Sequence, residues 1–233
     1  MKKTAILIIT LLLCMATLAS CGFIQINPGD IEGEGWIEVT ADTKDDCFTL
    51  LDDFLEETLK DANVVVTVSS EDKVQFVESI VGDKSCVEQK ETGTKTYAFK
   101  QDGEYIFAVD SEESQYYLSG EEYYNNNYCY FLFNVRMLKE SIPADQATFT
   151  GKMRTEEKNG ESNSTLTFEI TAEGGNVNIT AEAKNGLVLA VSYIINDPTA
   201  GQRTSTLTFA YGSATVTTPD ISDWYDATAT MGE

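Results

Sequence analysis

Lys95-Thr96-Tyr97-Ala98-Phe99-Lys100-Gln101-Asp102-Gly103-Glu104-Tyr105-Ile106-Phe107-Ala108-Val109 is the stretch on which the fold turns. Two runs rich in aromatic and β-branched residues flank Asp102-Gly103, a pair that tolerates the positive φ a two-residue hairpin turn demands. The stretch therefore predicts two antiparallel strands joined by a tight turn. The same punctuation returns at Asn159-Gly160 and Asn185-Gly186. Around the last of these, Val177, Ile179 and Ala181 come before the turn and Leu187, Leu189 and Val191 after it. The two-residue period of a strand places each set on one face. Farther upstream, Val64, Val66 and Val68 alternate with Val65 and Thr67. Ser164-Thr165-Leu166-Thr167-Phe168 recurs as Ser205-Thr206-Leu207-Thr208-Phe209, with Leu and Phe on one face and threonines on the other. Together these runs predict a meandering antiparallel sheet.

One segment breaks the pattern clearly. From Thr43 to Asp61, Cys47, Leu50, Leu51, Phe54, Leu55 and Leu59 recur at three- and four-residue steps, the signature of an amphipathic helix. Asp42 or Thr43 can cap it, and Asp45 and Asp46 suit its positive end. Asp52, Asp53, Glu56 and Glu57 read as its solvated face, since no Asp-x-Asp-x-Asp-Gly calcium loop is present. Glu121 to Ser141 predicts a second helix or helical turn, with Phe131, Val135 and Leu138 on one side, Asn125 to Asn127 as an irregular start and a stop at Pro143. Its crowded aromatics, Tyr123, Tyr124, Tyr128, Tyr130, Phe131 and Phe133, suit an aromatic core better than a ligand cavity.

The N-terminus speaks to location. Lys2 and Lys3 precede an apolar run, Ala5 to Met15, too short for a permanent span and suited to a signal peptide over residues 1–20. Its ending, Leu18-Ala19-Ser20-Cys21, resembles a bacterial lipobox, in which the thiol receives a diacylglycerol and the chain is cut before the cysteine. The alternative is an ordinary secretory signal with a chance cysteine. Each anchor methylene buried in lipid contributes about 0.8 kcal/mol, so two or three acyl chains make a stable tether. A linker over residues 21–35, with Gly29, Gly33, Gly35 and Pro28, leads to the body at 36–233. The expected place is the extracytoplasmic face of a bacterial membrane, with Cys21 lipidated.

Charge and absent residues narrow the chemistry. The formal charge of −22 becomes −24 once Lys2 and Lys3 leave with the signal. Such acidity opposes nucleic acid and an anionic membrane surface as partners. The chain has no histidine, which removes the usual neutral-pH general base, the commonest metal ligand and the Ser-His-Asp arrangement. It also has no phosphate-binding Gly-x-x-x-x-Gly-Lys loop and no Gly-x-Ser-x-Gly elbow. Among 38 acids, close carboxylate pairs occur by chance and do not argue for a glycosidase. The expectation is no enzyme, no catalytic residue, no cofactor and no metal. Of the body's cysteines, Cys47, Cys86 and Cys129, three thiols cannot all pair internally. They suit buried free thiols, with a single bridge involving Cys86 as the other reading.

The order of lipobox, short linker, long amphipathic helix, antiparallel strands, mid-chain helical segment and further hairpins resembles the LolA/LolB and LppX/LprG-type lipoprotein-carrier superfamily. The closing run Phe209-Ala210-Tyr211-Gly212-Ser213-Ala214-Thr215-Val216-Thr217-Thr218-Pro219-Asp220 is similar to a last strand in which a Tyr-Gly turn leads to a β-rich run ending in Pro-Asp. The resemblance covers roughly Trp36 to Trp224. It implies a mainly β (α+β) fold: an open antiparallel half-barrel of about eleven strands, with the long N-terminal helix and the mid-chain segment on the concave face. It also implies a non-enzymatic lipoprotein that holds a lipid or acyl chain in an apolar cavity between sheet and helix. Leu51, Phe54, Leu55, Phe168 and Phe209 would line that cavity. The other class of function is a structural or interaction module of the envelope, whose acidic surface meets a basic protein partner or wall component.

Overall fold

The structure, a computed structural model, describes residues 36–59, 62–141, 147–172, 175–197 and 201–230. The signal segment 1–20, Cys21 and the linker 21–35 lie outside the described residues. In chain order come β1 (Trp36–Ala41), α1 (Lys44–Leu59), β2 (Asn63–Ser70), β3 (Lys73–Val81), β4 (Lys84–Gln89), β5 (Lys95–Gln101), β6 (Glu104–Asp110) and β7 (Gln115–Ser119). There follow α2 (Glu121–Asn127), α3 (Tyr130–Ser141), β8 (Ala147–Lys158), β9 (Glu161–Ala172), β10 (Gly175–Lys184), β11 (Leu187–Asp197), β12 (Gly201–Tyr211) and β13 (Tyr225–Asp226). The strands are hydrogen-bonded in the order β1-β8-β9-β10-β11-β12-β2-β3-β4-β5-β6-β7-β13, an open sheet with β1 and β13 at its edges. The class is the mainly β one expected, with thirteen strands among the described residues in place of about eleven. Contact density divides the chain into two units, residues 1–54 with 134–205 and residues 55–133 with 206–233.

In the first unit, long strands meander through β8 to β11. Asn159-Gly160 and Asn185-Gly186 form the predicted turns, with φ of 56° and 79°, then 51° and 79°. Positive φ at both central residues is the geometry whose twist matches the strands it joins. One face carries Leu166, Phe168, Ile170, Val177, Ile179, Ala181, Val188, Val191 and Ile195, all buried. Leu187 and Leu189 leave this pattern: they are 42% and 44% exposed, and Val188 points inward instead. The cause is a β-bulge. Glu182 pairs with Ala190 but Ala183 with Val188, so Leu189 has no opposite number and the alternation reverses across it.

The start of α1 is fixed locally. Thr43 Oγ1 accepts the Asp46 N–H at 3.1 Å, capping the helix, and donates its own proton to Asp46 Oδ2 at 2.6 Å. The buried stripe is Cys47, Phe48, Leu51 and Leu55. Phe48 was not part of the predicted stripe, yet its ring meets Phe168 edge-on at 5.5 Å. Gly151 permits the close approach of β8: a Cβ there would stand 3.0 Å from Cys47 Sγ and 3.2 Å from Ala41 Cβ.

The second unit is a meander from β2 to β7. Asp102-Gly103 turns as predicted, with φ of 53° and 90°. A further turn at Glu71-Asp72 uses φ of 50° and 64° without any glycine. Strands β5 and β6 are buried on both faces. Tyr97, Phe99, Ile106 and Ala108 pack with Ile221 and Trp224 on one side, while Ala98 and Phe107 pack with Tyr124 of α2 on the other. The helical region is two helices with a break at Tyr128-Cys129, and Asn125 to Asn127 end α2 instead of forming an irregular start.

The closing run also departs from the sequence reading. Strand β12 stops at Tyr211, Gly212 takes φ of 76°, and residues 213–224 hold no strand. Asn63 pins the departure, accepting the Ala214 N–H at 2.8 Å and donating to the Ala214 carbonyl at 3.3 Å. The chain then pairs β13 in parallel with β7. The Ala227 N–H donates to the Tyr116 carbonyl at 2.8 Å, and Thr228 Oγ1 accepts the Leu118 N–H at 3.0 Å. The threonine-rich run that reads as strand is thus a strap from the Asn63 anchor to β13.

Candidate functional site

The residues expected to line a lipid cavity fall into both units. Leu51 and Phe168 belong to the first and Leu55 and Phe209 to the second, while the side chain of Phe54 lies outside those described. Leu51 and Phe168 have no exposed surface and Leu55 almost none. A side chain beside a water-sized void would retain accessible surface, so these three are packed against protein on every side. Phe168 is held by Phe48, and Phe209 meets Phe131 edge-on at 5.5 Å. These positions are core.

Cys47, Cys86 and Cys129 form no disulfide among the described residues. Cys47 lies 3.8 Å from the Ala41 carbonyl, and burial first, then Asp46 and Asp42, push its thiol up to about 11. Cys86 is raised by burial in the same direction, with Lys95 and Tyr97 pulling the other way. Raised thiols are poor nucleophiles, which suits small apolar side chains. No cluster among the described residues has the ligands to hold a metal.

The most elaborate surface lies in the second unit, where α2 crosses β5, β6 and β7. The Phe107 ring stacks on Tyr117 at 5.2 Å and meets Tyr123 edge-on at 5.8 Å and Tyr124 at 5.5 Å. Tyr124 lies 5.3 Å from Tyr105 and stacks on Tyr128 at 5.7 Å. The buried end is anchored by Tyr124, whose hydroxyl donates to the Asp83 carbonyl at 2.6 Å. At the outer end Tyr123 is 52% exposed, beside the exposed Glu121 and Glu122. This face already holds one cation of its own. Lys100 Nζ lies 5.0 Å from the Tyr105 ring centre and 5.7 Å from that of Tyr124, and 3.0 Å from Asp83 Oδ2. Asp83 raises the Lys100 ammonium above its usual range, and a hydrogen bond from Tyr105 to Glu121 raises that phenol. Lys100 thus lies over two ring faces with the Asp83 carboxylate beside it, the contacts that an ammonium group favours.

Glu78 is a second feature that sequence reasoning missed. It is 0% exposed, between Phe76 and Ile80 on one face of β3 and opposite Val66 and Val87. Oε1 accepts the Tyr130 N–H at 2.7 Å and Oε2 the Phe131 N–H at 2.9 Å, so this carboxylate caps α3 from another element. Burial pushes its carboxyl up to about 7, against the two N–H groups that hold it down. Nearby, Ser85 Oγ donates to the Tyr128 carbonyl at 2.5 Å, fixing the break between α2 and α3. The signal was in the sequence, since an acid between apolar residues at two-residue spacing, Phe76-x-Glu78-x-Ile80, must be satisfied inside.

Compared with known proteins, the chain matches no family model, no curated protein and no solved structure. The resemblance to lipoprotein carriers therefore rests on the order of sequence features alone. No helix among the described residues is long and apolar enough to cross a membrane.

Proposed function

We propose that this protein is a non-enzymatic interaction module of a bacterial envelope, tethered outside the membrane through lipidated Cys21, whose α2 face receives a basic partner. The observation that carries the reading is the half-exposed Tyr123 on a connected set of rings, flanked by Glu121 and Glu122, on a face that already grips the Lys100 ammonium. The large negative charge would draw a cationic partner from a distance, and the rings would hold it at contact. Exposed cation–ring contacts are worth about 0.5–1 kcal/mol each, so affinity requires several of them together with the carboxylates.

The test uses a lysine-rich peptide titrated into the full chain at moderate salt. Tyr123→Ala combined with Glu121→Gln and Glu122→Gln should weaken binding about tenfold, as loss of about 1.4 kcal/mol requires. Asp53→Lys, on the exposed side of α1, should change it little. Equal loss from Asp53→Lys would mean diffuse charge attraction and would remove the α2 face from the account.

Carriage of a lipid or acyl chain between α1 and the strand face is the second reading, supported by the apolar helix laid on apolar strands. With Leu51 and Phe168 packed as they are, it requires α1 to lift.

A further inference from the structure

A carboxylate enclosed by Val66, Val87, Phe76 and Ile80, with both oxygens spent on one helix start, ties the position of that helix to ionisation. We propose that the N-terminus of α3 closes on β3 with uptake of a proton at Glu78 and opens with its release, so that the hold is firm in mildly acidic surroundings and loosens above neutrality.

Two effects oppose each other at Glu78. The Tyr130 and Phe131 N–H groups favour the ionised form, as donors at a helix start do. Loss of hydration favours the protonated form, and it is the larger, leaving the carboxyl near 7. No charged side chain adds to these contributions. The other titratable groups at this place are the Cys86 thiol on β4, the Tyr128 phenol and Cys129 thiol at the α2–α3 break, and the Tyr130 phenol, whose ring meets Phe76 edge-on at 5.0 Å. Burial raises Cys86 and Tyr128, so these two stay neutral from pH 5 to 8. If the start of α3 lifts, Glu78 regains water and an ordinary carboxyl. The lifted state is then the one that loses its proton first. In linkage terms, a carboxyl raised on closing stabilises the closed form fully below about 4.5, and that contribution is gone once pH has risen through about 7.

Ser85 and Tyr124 confine the movement. Both secure the stretch just before α3, through the Tyr128 carbonyl and the Asp83 carbonyl, without involving a charge. The hinge is therefore the Tyr128-Cys129 break, where helical pairing is already interrupted.

Hydrogen exchange at the Tyr130 and Phe131 amides of the full chain reads the opening. After correction for intrinsic rates, protection should fall roughly 30-fold from pH 5.5 to pH 8. Glu78→Gln should remove that dependence while sparing protection elsewhere in the sheet. The same fall in Glu78→Gln and in the native chain would overturn the proposal, because the remaining acids would then be its source. Should Glu78→Gln not fold, the native chain decides through its own carboxyl carbon signal. A Glu78 midpoint near 7 that coincides with the exchange change supports the device. A midpoint near 4.5, or one near 7 with exchange unaltered, refutes it.

Discussion

Phe168→Ala separates a packed core from a lipid chamber. Phe168 has no exposed surface and stands on β9 between Leu166 and Ile170, with Phe48 of α1 edge-on at 5.5 Å. Truncating such a ring removes its burial and leaves a void that rigid strands cannot close, a loss of about 3–5 kcal/mol. Of this, about 0.5–1.5 kcal/mol belongs to the ring pair itself. A domain of this kind has about 5–15 kcal/mol in all, so the variant should remain folded but visibly weakened. With a urea slope near 2 kcal/mol per molar, the midpoint should fall by roughly 2 M, read by far-ultraviolet circular dichroism. Phe48→Ala in the same background should then cost less than it does alone, since the partner ring is already missing. A loss below about 1 kcal/mol would refute the reasoning, for it would mean that the ring borders open space.

The bulge at Leu189 makes neighbouring residues behave oppositely. Leu187→Lys and Leu189→Lys should change stability by no more than about 0.5 kcal/mol, whereas Val188→Lys, fully buried, should prevent folding or destabilise by more than about 4 kcal/mol in thermal melts. Gly151→Ala should destabilise by about 1–3 kcal/mol, because its methyl would press on Cys47 Sγ and Ala41; Cys47→Ala in the same chain should recover part of that loss. With an alkylating reagent at pH 8, Cys86 should react well before Cys47, whose thiol is buried and held up to about 11; mass spectrometry of digested protein gives the order.

What the sequence reveals follows the distance over which each feature is determined. The turns at Asp102-Gly103, Asn159-Gly160 and Asn185-Gly186 are legible because two adjacent residues decide them. The start of α1 is legible because Thr43 and Asp46 hydrogen-bond each other across three residues. Leu187-Val188-Leu189 is not, since three apolar residues in a row fit either register and only pairing with β10 selects one. Glu71-Asp72 hides a turn because acidic residues carry the positive φ usually left to glycine or asparagine. The strap after Gly212 hides for a different reason: residues 213–224 hold no strand, and the residues that anchor its two ends, Asn63 at the start and Tyr116 and Leu118 beyond the finish, lie at least 110 residues earlier. For the site, the sequence leads Leu51, Leu55 and Phe168 to a cavity lining and the structure buries all three, but an apolar wall reads the same whether it is packed or hollow. The α2 face was visible as a crowd of tyrosines around Tyr123 and Tyr128. The contact of Lys100 with the Tyr105 and Tyr124 rings appears only when the fold brings β5, β6 and α2 together.

The central claim is that the apolar interior is filled by the protein's own side chains and that binding takes place on the α2 face. Titration of the purified full chain with a fluorescent fatty acid addresses it most directly. The account predicts no saturable uptake, at a protein concentration where the lysine-rich peptide still binds through Tyr123. Saturable uptake at one site per chain, diminished by Leu51→Trp or Phe168→Trp, would contradict it and restore the lipid carrier.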